Sequence, residues 1–286
     1  MNDPVNNQPD STGQAPPPEA VDPLKDRRKL EGDDIFHFGC HNGLECFTHC
    51  CRDINILLTP ADVLHLARRL EMTTGDFLDK HTQMPITKDL FLPVVMLKMG
   101  DDPEKRCSFV SEEGCGVYED RPWACRMYPL GSALPPARAG DDTEPVHFLV
   151  EDDFCKGHLE KTEWTIKSWK DDQKLHHQEE LETGFRDIVS HPWFIGGQRQ
   201  LDPKRMEMFY TSCYDLDTFR RFVFSTSFTD RFELEEGLLE QMKTDDEALL
   251  RFAFRWLRFA LFAEPTLTVT DSATQAATGA TMERES

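Results

Sequence analysis

The sequence predicts an α+β protein in which a small cysteine-rich domain of short helices and strands precedes a mainly helical block. Two observations predict it. Eight of the nine cysteines lie between Cys40 and Cys155, among short apolar runs broken by turn residues. Beyond Thr162 the apolar residues fall at helical spacing in longer runs.

Residues 1–30 are rich in Pro, Asn, Asp and Gly and contain the run Pro16-Pro17-Pro18. They hold too little apolar surface to offset the entropy of ordering, so a disordered arm is expected. The cysteine domain is expected over 31–160. Thr59-Pro60-Ala61-Asp62 reads as an N-cap followed by proline at the first helical position, leading into Val63, Leu64, Leu66, Ala67 and Leu70. Thr73 or Thr74 caps a second short helix that ends near Lys80. Leu90 to Met99 reads as a strand, and Cys107 to Val110 with Gly114 to Tyr118 as a hairpin around Glu112-Glu113-Gly114. His147 to Glu151 adds a further strand. Over 161–264 helical spacing runs through Trp164, Ile166, Trp169 and Leu175, then Met206 to Phe224, Leu234 to Met242 and Asp245 to Phe262. Residues 265–286 mix Thr, Ala, Ser and Gly without a period and read as a disordered tail. There is no internal repeat, which disfavours a solenoid.

Composition narrows the function classes. A formal net charge of −20 argues against nucleic acid, whose phosphates are held by Lys and Arg. The N-terminus lacks the basic region and apolar run of a secretory signal, so a cytoplasmic location is expected. The most apolar segment, Leu249 to Phe262, is interrupted by Arg251, Arg255 and Arg258, so no membrane span is expected. That segment reads as a core helix whose arginines emerge to meet carboxylates. P-loop, GxSxG and HExxH signatures are all missing from the sequence.

Chemistry concentrates in the cysteines. Cys40, Cys46, Cys50 and Cys51 place four thiols within a dozen residues, and Cys107, Cys115, Cys125 and Cys155 supply four more beside turn-forming or small residues. Thiolates are the soft ligands that zinc and iron–sulfur clusters require, and four complete one site; eight serve two sites or one binuclear site. Arg52, Arg121 and Arg126 lie near these cysteines in sequence and are expected to donate hydrogen bonds to sulfur. His37, His41 and His49 could replace a thiolate but are read as surface or supporting residues, and His158, close after Cys155, is the next candidate. Cys213 stands apart in an aromatic helical run and reads as a small core residue. A disulfide framework is disfavoured in a reducing compartment and by the poor geometry of a bridge between neighbours.

The ordered set Cys40…Cys46…Cys50-Cys51-Arg52, Leu58-Thr59-Pro60-Ala61-Asp62-Val63, Cys107-Ser108-Phe109-Val110, Gly114-Cys115-Gly116-Val117-Tyr118 and Arg121-Pro122-Trp123-Ala124-Cys125-Arg126-Met127-Tyr128-Pro129 resembles the YkgJ-like cysteine-cluster family over about residues 36–160. The family's opening is CxxCxxCC, whereas the spacing here is C-x5-C-x3-CC. The resemblance implies a zinc- or iron-chelating domain with eight cysteines. Some members resemble flagellin lysine methylases, which implies a metal-dependent protein-modifying enzyme as one extension. Against a radical mechanism, the CxxxCxxC pattern fails at its third place, which is Asp53.

Three functions are consistent with these residues: a metal-binding protein whose zinc or iron–sulfur site is at least partly structural, an iron–sulfur oxidoreductase or protein modifier, and a metal-stabilised scaffold whose aromatic helices bind a partner protein. In the last, Phe252 and Trp256 are the expected contact residues.

Overall fold

The computed structural model describes residues 24, 27–85, 91–133, 145–194 and 200–271. Ten α-helices and five small antiparallel sheets are present among them, with helix dominating toward the C-terminus. The segments 1–23 and 272–286 lie outside the described residues, as does Leu90 at the head of the predicted strand.

Helix α1 (Pro60–Arg69) begins where the sequence places it. The Thr59 hydroxyl accepts from the Asp62 amide, and the Asp62 carboxylate accepts from the Thr59 amide at 2.9 Å, closing a capping box ahead of Pro60. The Thr73 hydroxyl caps α2 (Thr74–His81), accepting from the Asp76 amide. The predicted strand narrows to Val95–Leu97, the central strand between Leu57–Leu58 and Thr82–Gln83. The hairpin is present as Val110–Ser111 against Gly114–Cys115, with Gly114 at φ +121°, a conformation that glycine adopts at little cost. Helix α3 (Trp123–Met127) carries Cys125. Val146–Leu149 pairs with both Leu130–Ala133 and Lys29–Leu30, so the last residues of the segment read as an arm belong to a sheet.

The helical block starts later and breaks more often than its spacing predicts. Trp164 is on a strand, Glu163–Trp164 pairing with Phe36–His37, because its indole donates to the Phe38 carbonyl at 2.9 Å. Helices α4 (Ile166–Asp172), α5 (Leu175–Leu181) and α6 (Thr183–Val189) follow, each only 7 residues long. The run expected from Met206 to Phe224 divides into α7 (Pro203–Cys213) and α8 (Leu216–Ser225), because Asp215 turns out of the helix to cap α8 through Thr218. Helix α9 (Leu238–Thr244) leads into α10 (Asp246–Phe262). Thr268–Val269 then pairs with Phe232–Glu233, so the first part of the segment read as a tail is β-structure.

Two apolar cores form. The larger joins α1, α2 and the Val95–Leu97 strand to α6–α10 through Leu66, Phe77, Leu97, Phe209, Phe219 and Phe254, with Cys213 buried among them. The smaller gathers Leu30, Phe36, Phe38, Met127, Leu149, Trp169 and Leu175. The arginines of α10 emerge onto carboxylates as expected: Arg251 to Glu247, Arg255 to Glu235, and Arg258 to Asp187 and Glu264. Phe252 is 1% exposed and so is used inside the fold, whereas Trp256 is half-buried and stacks on Phe219.

A buried polar network ties the two stretches of chain together. Asp62 accepts from the Trp123 amide at 2.7 Å and from Gln178 Nε2 at 2.8 Å, and the Ala61 amide donates to Glu182 Oε1 at 3.0 Å. Burial, then repulsion from Asp62, pushes the Glu182 carboxyl up to about 8. The native protein therefore holds a proton that the unfolded chain has released above the ordinary glutamate range. Stability supplied by that proton is full below about pH 4.5 and lost progressively as pH rises toward about 8. Glu182→Gln keeps an acceptor for the Ala61 amide and removes the charge. Its urea midpoint should exceed that of the wild type at pH 8.5 and match it at pH 5; equal midpoints at both values would show that the carboxyl does not carry this proton.

Close backbone packing aligns the loops that bear Cys40 and Cys155. The Gly39 amide donates to the Gly157 carbonyl at 3.0 Å, and a Cβ on Gly157 would stand 2.7 Å from both Gly39 O and Phe38 Cε2. Gly157→Ala should cost about 1–3 kcal/mol, the range for overpacking a tight contact. Thermal or urea unfolding measures this, and an unchanged midpoint would mean that the loops separate without cost.

Candidate metal centre

The loop from Gly39 to Cys51 is built of turns and ends in a three-residue 3-10 helix, His49–Cys51. No residue from Gly39 to Asn55 is buried, so apolar burial contributes little to its shape. It is held at its ends. Gly39 is bonded to Gly157, the Lys156 amide donates to Cys46 Sγ at 3.2 Å, and His49 stacks on Phe154 at 4.6 Å. On the other side the Cys107 amide donates to the Cys51 carbonyl at 2.8 Å, and Arg52 bridges Arg106 in the backbone.

These contacts bring Cys40, Cys46, Cys50, Cys51, Cys107, Cys115, Cys125 and Cys155 to the wall of one cavity of about 770 Å³. The cavity lies between the two cores: Ile56, Leu97 and Val117 of the larger face it, and so do Phe38 and Trp169 of the smaller. None of the nine cysteines is disulfide-bonded, and the adjacent Cys50 and Cys51 sulfurs stand 4.0 Å apart, about twice a disulfide bond length. Among the described residues no three Cys, His, Asp or Glu side chains already form a group that could hold an ion. The candidate ligands share a cavity without closing into a coordination shell.

The electrostatics follow from this crowding. A hydrogen bond from Cys51 holds Cys50 down to about 7, against the effect of burial, and Cys51 is correspondingly raised by that bond, by burial and by the charges of Cys50, Cys107 and Cys125. Burial, then repulsion from Cys50, Cys155 and Cys46, pushes Cys40 up to about 11. Cys125 is raised by burial and by Asp62, and Cys107 and Cys115 chiefly by burial. A cation in the cavity would reverse these penalties, because a thiolate bound to metal keeps its charge beside an opposite one. The donor set therefore suits a soft cation.

Of the three arginines expected at the sulfurs, only Arg121 reaches the cavity. It lies over the Tyr118 ring at 3.7 Å, donates to the Tyr118 carbonyl and to Gln173, and lowers Cys40, Cys50 and Cys115. Arg52 turns away to Glu104, and Arg126 donates to the Gln173 and Lys174 carbonyls, because each finds stronger acceptors there than a thiol. Among the histidines His41 reaches the cavity wall, 3.7 Å from Glu160; His37 faces Glu163. His158 packs against Phe38 and Tyr128, and neither of its ring nitrogens has a hydrogen-bond partner among the described residues.

Two cavity residues carry no metal-ligand signature in the sequence. The buried Tyr128 hydroxyl has no hydrogen-bond partner among the described residues, and its ionisation is pushed well above the usual range by burial and by neighbouring Cys155 and Asp152. Cys155 and Asp152 are the acceptors nearest in effect to this hydroxyl, which could therefore donate to the Cys155 sulfur. Asp152 also lines the cavity. Their places, three residues after Cys125 and three before Cys155, were the available signal.

No helix among the described residues is long and apolar enough to cross a membrane. Neither the curated proteins nor the solved structures include a match to this chain. Residues 39–156, under half of the chain, match a family model described as "Putative zinc- or iron-chelating domain". The matched span opens just before Cys40 and closes just after Cys155, so it encloses all eight cysteines of the cavity. Over 39–156 the chain thus matches the model of the CxxCxxCC family.

Proposed function

We propose that the cysteine domain, over 31–160, is a thiolate-ligated metal centre with Cys40, Cys46, Cys50, Cys51, Cys107, Cys115, Cys125 and Cys155 as its ligands, and that the metal is in part structural. The observation that carries this reading is the gathering of eight unpaired thiols, from separate segments of chain, on one cavity wall. Rotation about χ1 swings each sulfur without moving its backbone, and ordering of the loop that bears Cys40, Cys46, Cys50 and Cys51 would complete closure around an ion. A structural role follows from the loop between Gly39 and Asn55, which has no buried residue to fix it and would be fixed by its four thiolates. Metal binding is then coupled to folding of this region.

Zinc and iron–sulfur clusters both accept such ligands, the first as a tetrahedral ion and the second as an electron carrier. A catalytic reading, as an iron–sulfur oxidoreductase or a metal-dependent modifier of proteins, is favoured by one observation: the cavity volume lies within the roughly 300–1,000 Å³ typical of small-molecule sites.

Purification without oxygen, followed by metal and acid-labile sulfide analysis, tests the proposal. The wild type should carry stoichiometric zinc, or iron with sulfide, and Cys50→Ser with Cys51→Ser should lose most of it. Removal of the metal by chelator should increase proteolysis within 39–55. Freshly isolated wild type free of both metals would sink the reading. A brown colour bleached by dithionite selects the iron–sulfur form, and a colourless, redox-inert protein with zinc selects the structural one.

A further inference from the structure

We propose that the eight cysteines divide into two four-thiol metal positions, one formed by Cys40, Cys46, Cys50 and Cys155 and the other by Cys51, Cys107, Cys115 and Cys125, meeting at the Cys50–Cys51 peptide. The inference rests on the metal-binding reading above and deepens it.

Coordination number comes first. A zinc ion takes four ligands in a tetrahedral structural site and an iron–sulfur cluster is held by four cysteines, so eight thiols supply two centres whichever metal binds. The fold then sorts the thiols. Cys107, Cys115 and Cys125 pack against the larger core, whereas Cys155 packs against the smaller one. Cys40 and Cys46 follow Cys155, through the bond between Gly39 and Gly157 and the donation from the Lys156 amide to the Cys46 sulfur. Cys51 follows Cys107, whose amide is bonded to the Cys51 carbonyl. Each side thus has a complete or nearly complete set: four thiols with Cys51 on the larger core, three with Cys155 on the smaller.

Cys50 completes the second set by count: it is the thiol left over, and that position needs a fourth. It lies between the two sets, its sulfur 4.0 Å from that of Cys51 and its charge acting on Cys40 of one set and on Cys107, Cys115 and Cys125 of the other. The paired cysteines thus form the seam of two adjacent centres. Ligand exchange across that seam is a matter of one peptide unit, so the two centres should sense each other's occupancy.

Metal content of single and double variants, purified without oxygen, tests the division. Cys125→Ser and Cys155→Ser should each keep about half of the wild-type metal. Cys50→Ser combined with Cys155→Ser should keep the same half, because both belong to one position, whereas Cys50→Ser combined with Cys125→Ser should keep none. Loss of all metal from either single variant, with its far-UV circular dichroism unchanged, would overturn the division. Should a variant fail to fold, a cobalt(II) titration of metal-free wild type decides: a thiolate-to-cobalt absorption band that saturates at two equivalents per chain supports two positions, and saturation at one overturns them. A wild type that holds no native metal and gives no such band with cobalt would instead overturn the metal reading itself, a result distinct from one-site binding.

Discussion

Gathering eight ionisable thiols into one partly buried cavity is the constraint on which the cysteine domain depends. Each thiolate formed there loses hydration and meets the charge of its neighbours, which is why Cys40, Cys51, Cys107, Cys115 and Cys125 are all raised. Cys50 escapes chiefly by accepting a hydrogen bond from its neighbour. Arg121 is the cationic side chain at the wall, and one guanidinium cannot neutralise eight sulfurs. Divalent cations or clusters in the cavity would offset the same terms, turning the least favourable feature of the fold into its strongest cross-link.

The cavity is attached to the remainder of the molecule through Asp62. This carboxylate closes the cap of α1, accepts from the first amide of the helix that carries Cys125, and accepts from Gln178 on α5. A buried charge with this many donors is costly to disturb, since removing any donor leaves the others facing a partly desolvated acceptor. Arg68 extends the connection along α1, bonding Asp217 on α8 and Asp246 at the start of α10. The cysteine-bearing and helical stretches are therefore joined by polar contacts as well as by the larger core.

Much of this was legible in the residues. The Thr59-Pro60-Ala61-Asp62 cap, the Glu112-Glu113-Gly114 hairpin and the arginine stripe of α10 are local patterns, set by capping chemistry, turn geometry and helical period, and each is found where its pattern falls. Interruptions were less legible. Trp164 sits in helical spacing yet joins a strand because its indole finds the Phe38 carbonyl, far away in sequence. Asp215 breaks a continuous apolar run by capping the next helix. Of the site, the cysteines stood out by type and spacing, whereas Tyr128 and Asp152 reach the cavity only through tertiary packing. The arginines show the converse error: proximity in sequence to a cysteine says little about where a long side chain ends, and Arg52 and Arg126 end on oxygen acceptors elsewhere.

The two sides of the cavity are unequally prepared. Cys107, bridged to Met99, Cys115 on the hairpin and Cys125 on α3 all pack against the larger core, and α3 is anchored by Asp62 at its first amide. Cys40 and Cys46 stand on a loop without a buried residue, positioned by Gly39 on Gly157 and by one donation from the Lys156 amide. Ordering a loop costs conformational entropy that ligand formation must exceed, and that cost is largely met in advance on the core side only. A metal held in the cavity would therefore find the core side preorganised, and the Cys50–Cys51 peptide would carry the resulting order from that side into the loop.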